Sequence, residues 1–284
     1  MIPAGFEYAR AKSLREATNA LAAGDGTKVL AGGHSLIPLL RFRLAQPGKL
    51  LDIGDLAELK GVDAKGRGLR IGAGASYRDV LDSALAAERY PLLAEAVHGI
   101  GDLQVRNRGT LGGGLAHADP ASDLPAVMLA LDASFELRSK SGKRSVAARE
   151  FFKGPFTTAM REDELLVEIV LPAPPKKAGM AYVSFEQKAS GYALAGAAAI
   201  VTRSRKTIAT ATVALTGVGD CAYLADVSGA VGSQGDNAAL SAAVANVTAG
   251  VTVNGDIHAS TEYRAHLARV AAKRAIALAY DRAG

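Results

Sequence analysis

The chain of 284 residues has no tryptophan, one cysteine and only 5% aromatic residues. A lone thiol, Cys221, excludes an internal disulfide. It also excludes an iron–sulfur cluster held wholly by this chain, since such a cluster normally takes four thiolates. The histidines (His34, His98, His117, His258 and His266) include no zinc-type pair with a neighbouring Cys or His. No run approaches the roughly 20 apolar residues of a membrane span, and the start MIPAGFEYARAKS has no apolar stretch of signal-peptide length. A cytoplasmic location is therefore expected. The P-loop and the G-x-S-x-G elbow are both missing, so NTPase and hydrolase readings lack their motifs. Gly72-Ala-Gly74 and Gly217-Val-Gly219 resemble the start of a Rossmann fingerprint, but neither has the third glycine at the required spacing.

What is abundant is small and apolar. The chain is 49% hydrophobic and contains 31 glycines, a composition that packs cores from short aliphatic side chains and lets backbones approach closely. Its length allows two or three compact lobes. The net charge of +5 comes from 33 basic residues scattered among 28 acidic ones. That pattern describes a solvated, mildly basic surface, not a nucleic-acid face.

Ser13-Leu-Arg-Glu16 reads as a capping box opening an amphipathic helix to about Ala23. A buried strand is expected over Lys28 to Ala31 and another over Lys49 to Ile53, giving a small lobe over residues 1–55. The second lobe, 56–175, should hold strands at Leu69–Ala73, Ser134–Arg138 and Glu164–Leu171. Its expected helices start at Ser76 and cover Pro91–Ile100 and Leu124–Leu131. Pro172-Ala-Pro-Pro-Lys-Lys-Ala-Gly179 is the sharpest break in composition and marks a domain boundary. Residues 176–284 should then form a three-stranded sheet (Ala181–Lys188, Ala193–Thr202, Thr207–Leu215) with helices near Ala238–Val247 and Thr261–Tyr280. In the last helix, Tyr263, Leu267 and Val270 share one face and Arg264, Arg269 and Lys273 a basic one. Strands and helices without regular βαβ spacing indicate an α+β fold.

Two glycine-rich segments carry the chemistry: AGGHSLIPLL at Ala31–Leu40 and TLGGGLAHADPASDLP at Thr110–Pro125. Each is expected to follow a strand and to turn several N–H groups toward a phosphate. In the first, His34 and Ser35 add donors ahead of a helix begun by Leu36 and Ile37. In the second, Thr110 offers a hydroxyl, Gly112 to Gly114 offer N–H groups, and Asp123 suits sugar or ribityl hydroxyls. The pair points to a dinucleotide. His117, Asp119 and Asp123 could also start a mononuclear metal site, although a complete ligand set is not apparent.

The residues AGGHSLIPLLRFRLAQP (31–47), QVRNRGTLGGGLAHADPASDLPA (104–126), ELLVEIVLP (164–172), KASGYALAGAAA (188–199) and EYRAHLARVAAKRA (262–275) resemble the FAD-binding medium subunit of the molybdenum hydroxylases, in particular that of aerobic carbon monoxide dehydrogenase. The resemblance implies a two-lobed FAD-binding domain of the vanillyl-alcohol-oxidase (PCMH) type followed by a C-terminal α/β domain. It implies FAD contacts at Val29, Ala31, Gly32, Gly33, His34 and Ser35, then at Thr110, Leu111, Gly112, Gly113 and Gly114, at Asp123, and at the backbone of Leu166. Tyr192 matches an aromatic placed against the isoalloxazine ring, and Lys188 is a further cofactor contact. Relatives often carry a basic residue where this chain has Ser184, and a polar one where it has Gly114.

It further implies an electron-transfer role with no catalytic residue and no metal ligand on this chain. The molybdenum–pterin cofactor would sit on a large partner subunit and [2Fe-2S] clusters on a small one, in a dimer of heterotrimers, with any membrane association made through the partners. Two competing expectations are a self-sufficient FAD oxidoreductase with its own organic substrate and a non-enzymatic module for an anionic partner. Neither the complex's substrate (carbon monoxide, a purine, an N-heterocycle or an aldehyde) nor its electron acceptor can be read from the residues.

Overall fold

The computed structural model describes residues 2–284. The N-terminal lobe is a parallel three-stranded sheet: β1 (Glu7–Arg10), β2 (Lys28–Leu30) and β3 (Lys49–Asp52), in the order β1-β3-β2. Helix α1 (Leu14–Leu21) crosses from β1 to β2, and α2 (Leu36–Arg41) crosses from β2 to β3. Ser13 caps α1 by accepting from the Glu16 N–H, but Glu16 returns its carboxylate to the Lys12 N–H, so the box is displaced by one residue. Leu14, Ala17 and Leu21 bury the inner face of α1 as the spacing requires. The strand β2 is not buried as expected. It is the sheet's edge, with Lys28 exposed and Val29 and Leu30 half-covered.

The second lobe is built on a five-stranded antiparallel sheet in the order β4-β5-β10-β6-β7. Its strands are β4 (Val62–Lys65), β5 (Gly68–Gly72), β6 (Ser134–Ser139), β7 (Gly142–Ala147) and β10 (Leu165–Leu171). Between β5 and β6 run α3 (Tyr77–Leu81), α4 (Ala84–Arg89), α5 (Pro91–Gly99), α6 (Leu103–Arg108), α7 (Leu111–His117) and α8 (Asp123–Ala130). A short helix α9 (Ala148–Phe151) leads to the hairpin β8 (Phe152–Gly154) and β9 (Thr157–Thr158). The helix start expected at Ser76 is a complete capping box, since Ser76 and Asp79 bond each other's backbone N–H.

The central strand β10 serves both lobes. Leu165 is buried in the N-terminal core with Leu51, Leu56 and Leu59, while Leu166, Ile169 and Leu171 lie in the larger core. Alternation alone puts Leu165 and Leu166 on opposite faces, and the bulge between Leu166 and Glu168 adds the extra residue that brings Leu166 onto the same face as Ile169 and Leu171. Arg144 holds the start of β10 through two hydrogen bonds to Glu164, at 2.6 and 2.7 Å. Glu164 is 6% exposed, and the Arg144 hydrogen bonds hold its carboxyl below the ordinary range.

The C-terminal part is an antiparallel meander of β11 (Gly179–Glu186), β12 (Ala193–Ser204), β13 (Thr207–Thr216) and β14 (Tyr223–Ala225), followed by α10 (Asn237–Ala243) and α11 (Thr261–Arg282). A fourth strand, β14, thus joins the three expected. Side chains alternate along it as a sheet requires. Met180, Ala198, Ile200 and Ala214 face the core of the second lobe, while Ala181, Ala197, Ala199, Val213 and Leu215 face α11. The sheet is therefore packed on both sides, with α5 and α8 on one and α11 on the other.

The expected faces of α11 are not those observed. Arg264 is 4% exposed and Tyr263 is 52% exposed. The buried stripe is Leu267, Ala268, Ala271, Ala272, Ala275, Ile276 and Ala279, small enough for a close approach to the sheet. Gly179 is part of that contact, because a Cβ there would overlap the carbonyl oxygen of Ala279. Arg264 is kept inside by hydrogen bonds to the Leu194 and Gly217 carbonyls and by an ion pair with Asp256. Its Nε stays unpartnered, and hydropathy spacing misplaces the residue because the groups that hold its other two nitrogens lie outside α11.

Candidate functional site

The first glycine segment follows β2 directly. Gly33 has φ +79°, a left-handed conformation that a side chain disfavours, and it turns the chain into α2. The N–H groups of Gly32, Gly33, His34 and Ser35 make no hydrogen bond among the described residues. Ser35 heads α2 but its hydroxyl caps nothing. Successive unpaired N–H groups at a turn leading into a helix form a concave anion-binding nest. His34 is exposed at its rim, and Val29 and Ala31 pack beneath it on the N-terminal core.

The second segment differs from expectation in two respects. It follows the helix α6, not a strand; its only sheet-like contact is an isolated bridge between Thr110 and Ser76. Its N–H groups are also taken. Leu111 N donates to Ala75 O, Gly112 N to Ala73 O, Gly113 N to Thr110 Oγ1 and Gly114 N to Thr110 O. These glycines serve close packing. A Cβ on Gly112 would overlap Ala73, and one on Gly113 would lie 2.6 Å from Thr110 Oγ1. The two segments touch: a Cβ on Gly32 would overlap the Arg108 carbonyl oxygen, and one on Gly113 would come within 3.9 Å of Ala31 Cβ. The second segment is thus the wall against which the first is set.

Beyond α7 the chain enters α8 at Asp123, which is 7% exposed and accepts a 2.5 Å hydrogen bond from the Tyr182 hydroxyl. Burial raises the Asp123 carboxyl to about 6, the Tyr182 hydrogen bond opposes that shift, and Glu186 adds to it. Tyr182, Ser184 and Glu186 occupy alternate positions of β11 and so project from one face of the sheet. Gly196, the register partner of Ser184 on β12, leaves room for the Tyr182 hydroxyl. The Ser184 hydroxyl is buried beside the Asp123 carboxyl and the Tyr182 hydroxyl and makes no well-formed hydrogen bond with either. An orphaned buried polar atom beside a buried carboxyl is what a polar ligand would satisfy.

Tyr192 lies at the entrance to β12, 44% exposed, so it is not a core tyrosine. Burial and the nearby Asp119 and Asp123 carboxyls push its hydroxyl up. Lys188 is exposed in the turn between β11 and β12. Leu166 is buried, paired with Leu137 across the sheet, beside the bulge of β10.

The proposed metal set is not assembled. The His117 ring lies 5.1 Å from that of Phe156, Asp119 accepts from the Ala121 N–H, and Asp123 is taken by Tyr182. Among the described residues no group of three or more His, Cys, Asp or Glu could hold a metal ion. The near-Rossmann glycines have structural roles: Gly74 N bonds Leu59 O, and Gly217 N bonds Pro120 O. Sequence reading did not single out Tyr77 and Tyr182. Their signal was indirect, a glycine opposite each hydroxyl: Gly114 for Tyr77 and Gly196 for Tyr182.

The chain matches known protein families in two stretches. Residues 4–174 match the family described as FAD binding domain in molybdopterin dehydrogenase, and residues 180–279 match the CO dehydrogenase flavoprotein C-terminal domain. The carbon monoxide dehydrogenase medium chain of Afipia carboxidovorans is 38% identical, covering 100% of this chain and 99% of that protein. The glyceraldehyde dehydrogenase medium chain of Sulfolobus acidocaldarius is 46% identical over 70% of each. Among solved structures, carbon monoxide dehydrogenase from Hydrogenophaga pseudoflava superposes with a TM-score of 0.96 at 38% identity over the full length of both chains. Quinoline 2-oxidoreductase from Pseudomonas putida 86 gives 0.95 at 32% identity, covering 100% of this chain and 99% of that one. A nest of free N–H groups, a buried polar cluster at the start of α8 and a full-length match in sequence and fold agree: this chain belongs to the family of FAD-binding medium subunits of the molybdenum hydroxylases.

Proposed function

We propose that the chain is the FAD-carrying electron-transfer subunit of a heteromeric molybdenum hydroxylase, organised as lobes 1–55 and 56–175 and a C-terminal domain 176–284. The observation that carries the reading is the run of unpaired N–H groups at Gly32, Gly33, His34 and Ser35. It lies against the Thr110–Gly114 wall in a chain whose first 170 or so residues match an FAD-binding family.

The residues fit the cofactor. The nest of Gly32 to Ser35 would hold the diphosphate, with Val29 and Ala31 beneath it. Thr110 to Gly114 would bound the site from the second lobe, Asp123 would meet a hydroxyl, and Leu166, Lys188 and Tyr192 would complete the surround. When bound, FAD supplies a carrier that exchanges electrons between partner iron–sulfur clusters and an external acceptor.

This chain's own residues bind and orient. Tyr182 fixes the Asp123 carboxyl by its hydrogen bond. Near pH 6 that carboxyl holds a proton half the time, so Asp123 both accepts and donates hydrogen bonds in the neutral range. Substrate oxidation is assigned to a large molybdenum–pterin subunit and the [2Fe-2S] clusters to a small subunit, in a dimer of heterotrimers. The single thiol of this chain, Cys221, supports placing those clusters elsewhere. The named relatives include dehydrogenases of carbon monoxide, glyceraldehyde and caffeine. Similar medium chains therefore accompany dissimilar substrates, and the substrate is chosen on the partner. No described helix is long and apolar enough to cross a membrane, and we place the complex in the cytoplasm.

The test is purification of the native complex, identification of the co-purifying chains and a visible spectrum before and after adding candidate reductants. A flavin spectrum bleached by substrate only when the partners are present is the expected result. A folded complex without flavin would sink the reading, and turnover by the isolated chain would replace it with a self-sufficient oxidoreductase.

A further inference from the structure

One buried tyrosine stands apart from the others. The hydroxyls of Tyr8, Tyr90, Tyr182, Tyr223 and Tyr280 each donate a hydrogen bond, to Asp52, Pro172 O, Asp123, Val247 O and Lys206 O respectively. Tyr192 and Tyr263 lack one but are 44% and 52% exposed, so water serves them. Tyr77 is 8% exposed, and its hydroxyl has no partner among the described residues. The oxygen is not fully closed off; the packed ring leaves its polar end open to an acceptor from outside the protein.

The chain makes room for this tyrosine with two glycines, Gly109 just ahead of the second segment and Gly114 within it. A Cβ on Gly109 would lie 2.7 Å from Tyr77 Cε2, and one on Gly114 would lie 2.5 Å from Tyr77 Oη. Tyr77 N also donates to Gly109 O at 3.0 Å, which fixes the ring's origin at the first turn of α3. The ring is therefore wedged beneath α7, with its oxygen in the space over Gly114. Asp123 and Tyr192 lie within electrostatic reach of that oxygen. Burial, with a smaller contribution from those two groups, raises the phenol far above its ordinary range, so it stays protonated and can donate.

We propose that Tyr77 is a cofactor-binding residue whose hydroxyl, passing through the gap over Gly114, donates a hydrogen bond to an acceptor atom of the bound FAD. The inference rests on the FAD reading above and adds to it the polar group at this point of the wall. It explains why a tyrosine is kept where the protein itself offers no acceptor, and why position 114 carries no side chain.

The experiment uses the purified complex, stripped of flavin and titrated with FAD, with flavin fluorescence and the visible band as readouts. Tyr77→Phe is expected to leave the unfolding midpoint of the stripped protein unchanged and to raise the FAD dissociation constant about tenfold. Gly114→Ala in the native background must displace the hydroxyl and should weaken FAD comparably. Once Tyr77→Phe has removed the oxygen, the nearest ring atom is 3.7 Å from the new methyl, so Gly114→Ala should then add little. Equal FAD affinity and an unchanged spectrum in Tyr77→Phe would make the ring a wedge only and overturn the inference. So would losses that simply add in the double variant. A native complex that takes up no FAD would remove the functional reading and this inference together, whereas normal uptake with an indifferent Tyr77→Phe removes this inference alone.

Discussion

The two glycine segments look interchangeable in sequence and behave as opposites in the fold. In Ala31–Ser35 the glycines free the backbone: Gly33 turns at φ +79° and the following N–H groups point to no partner. In Thr110–Gly114 they remove bulk: the N–H groups of Leu111 to Gly114 all bond inside the protein, and the missing side chains let α7 lie against Ala73, Thr110 and Tyr77. One loop presents free donors and the other backs it. A glycine-rich motif therefore does not by itself mean a row of available donors; what matters is where each N–H goes.

This contrast can be broken most directly at Gly112. Gly112→Ala places a methyl into the Ala73 backbone and should cost about 3 kcal/mol, read as a lower urea midpoint with an unchanged slope. Full stability in that variant would mean that the second segment is not a wall.

An effect of similar size is expected at the far end of that segment. The Asp123 carboxyl titrates near 6 in the folded chain against 3.8 ordinarily, chiefly because it is buried. Between about pH 4 and 6 the folded state binds more protons than the unfolded one, so this group's contribution to stability is fullest below 3.8 and is lost as pH rises through 6. The loss is about 3 kcal/mol. Urea unfolding from pH 4 to 7 should show that slope in the native protein and not in Asp123→Asn. A slope that persists in Asp123→Asn would assign it to another group.

Gly33→Ala separates the two roles in the other direction. Holding a methyl-bearing residue left-handed costs about 1–2 kcal/mol, and Ile37 must also shift, since its Cδ1 would lie 2.7 Å from the new methyl. The distinctive consequence is in binding: Gly33→Ala should weaken FAD more than Thr110→Val does. The smallest expected effect is that of Thr110→Val itself, about 1 kcal/mol of stability, through loss of the cap on the Gly113 N–H. Flavin titration and unfolding of both variants check the order, and a Thr110→Val variant that loses FAD more severely would reverse the assignment of nest and wall.

Much of the architecture was legible residue by residue. Ser76 with Asp79 announced a helix start, Leu14, Ala17 and Leu21 announced a buried face, and the runs Ala193–Thr202 and Thr207–Leu215 announced strands, which pair with each other. The failures share a cause. Lys28–Ala31 reads as a buried strand because it is short and apolar, but burial depends on whether a strand is central or at an edge. Arg264 reads as a surface residue because it is charged, but its partners, Leu194 O, Gly217 O and Asp256, lie on other elements.

The sequence by itself determined the cofactor class and the order of the elements, because glycine positions, caps and hydrophobic periods are properties of neighbouring residues. Tertiary structure alone decided which glycine segment has free donors, which carboxyl is buried to the point of titrating near 6, and which largely buried tyrosine has no protein partner for its hydroxyl. Hydrogen-bond supply and burial are set between elements far apart in the chain, as when Tyr182 of β11 meets Asp123 of α8 or Gly32 meets Arg108, and no local pattern encodes them.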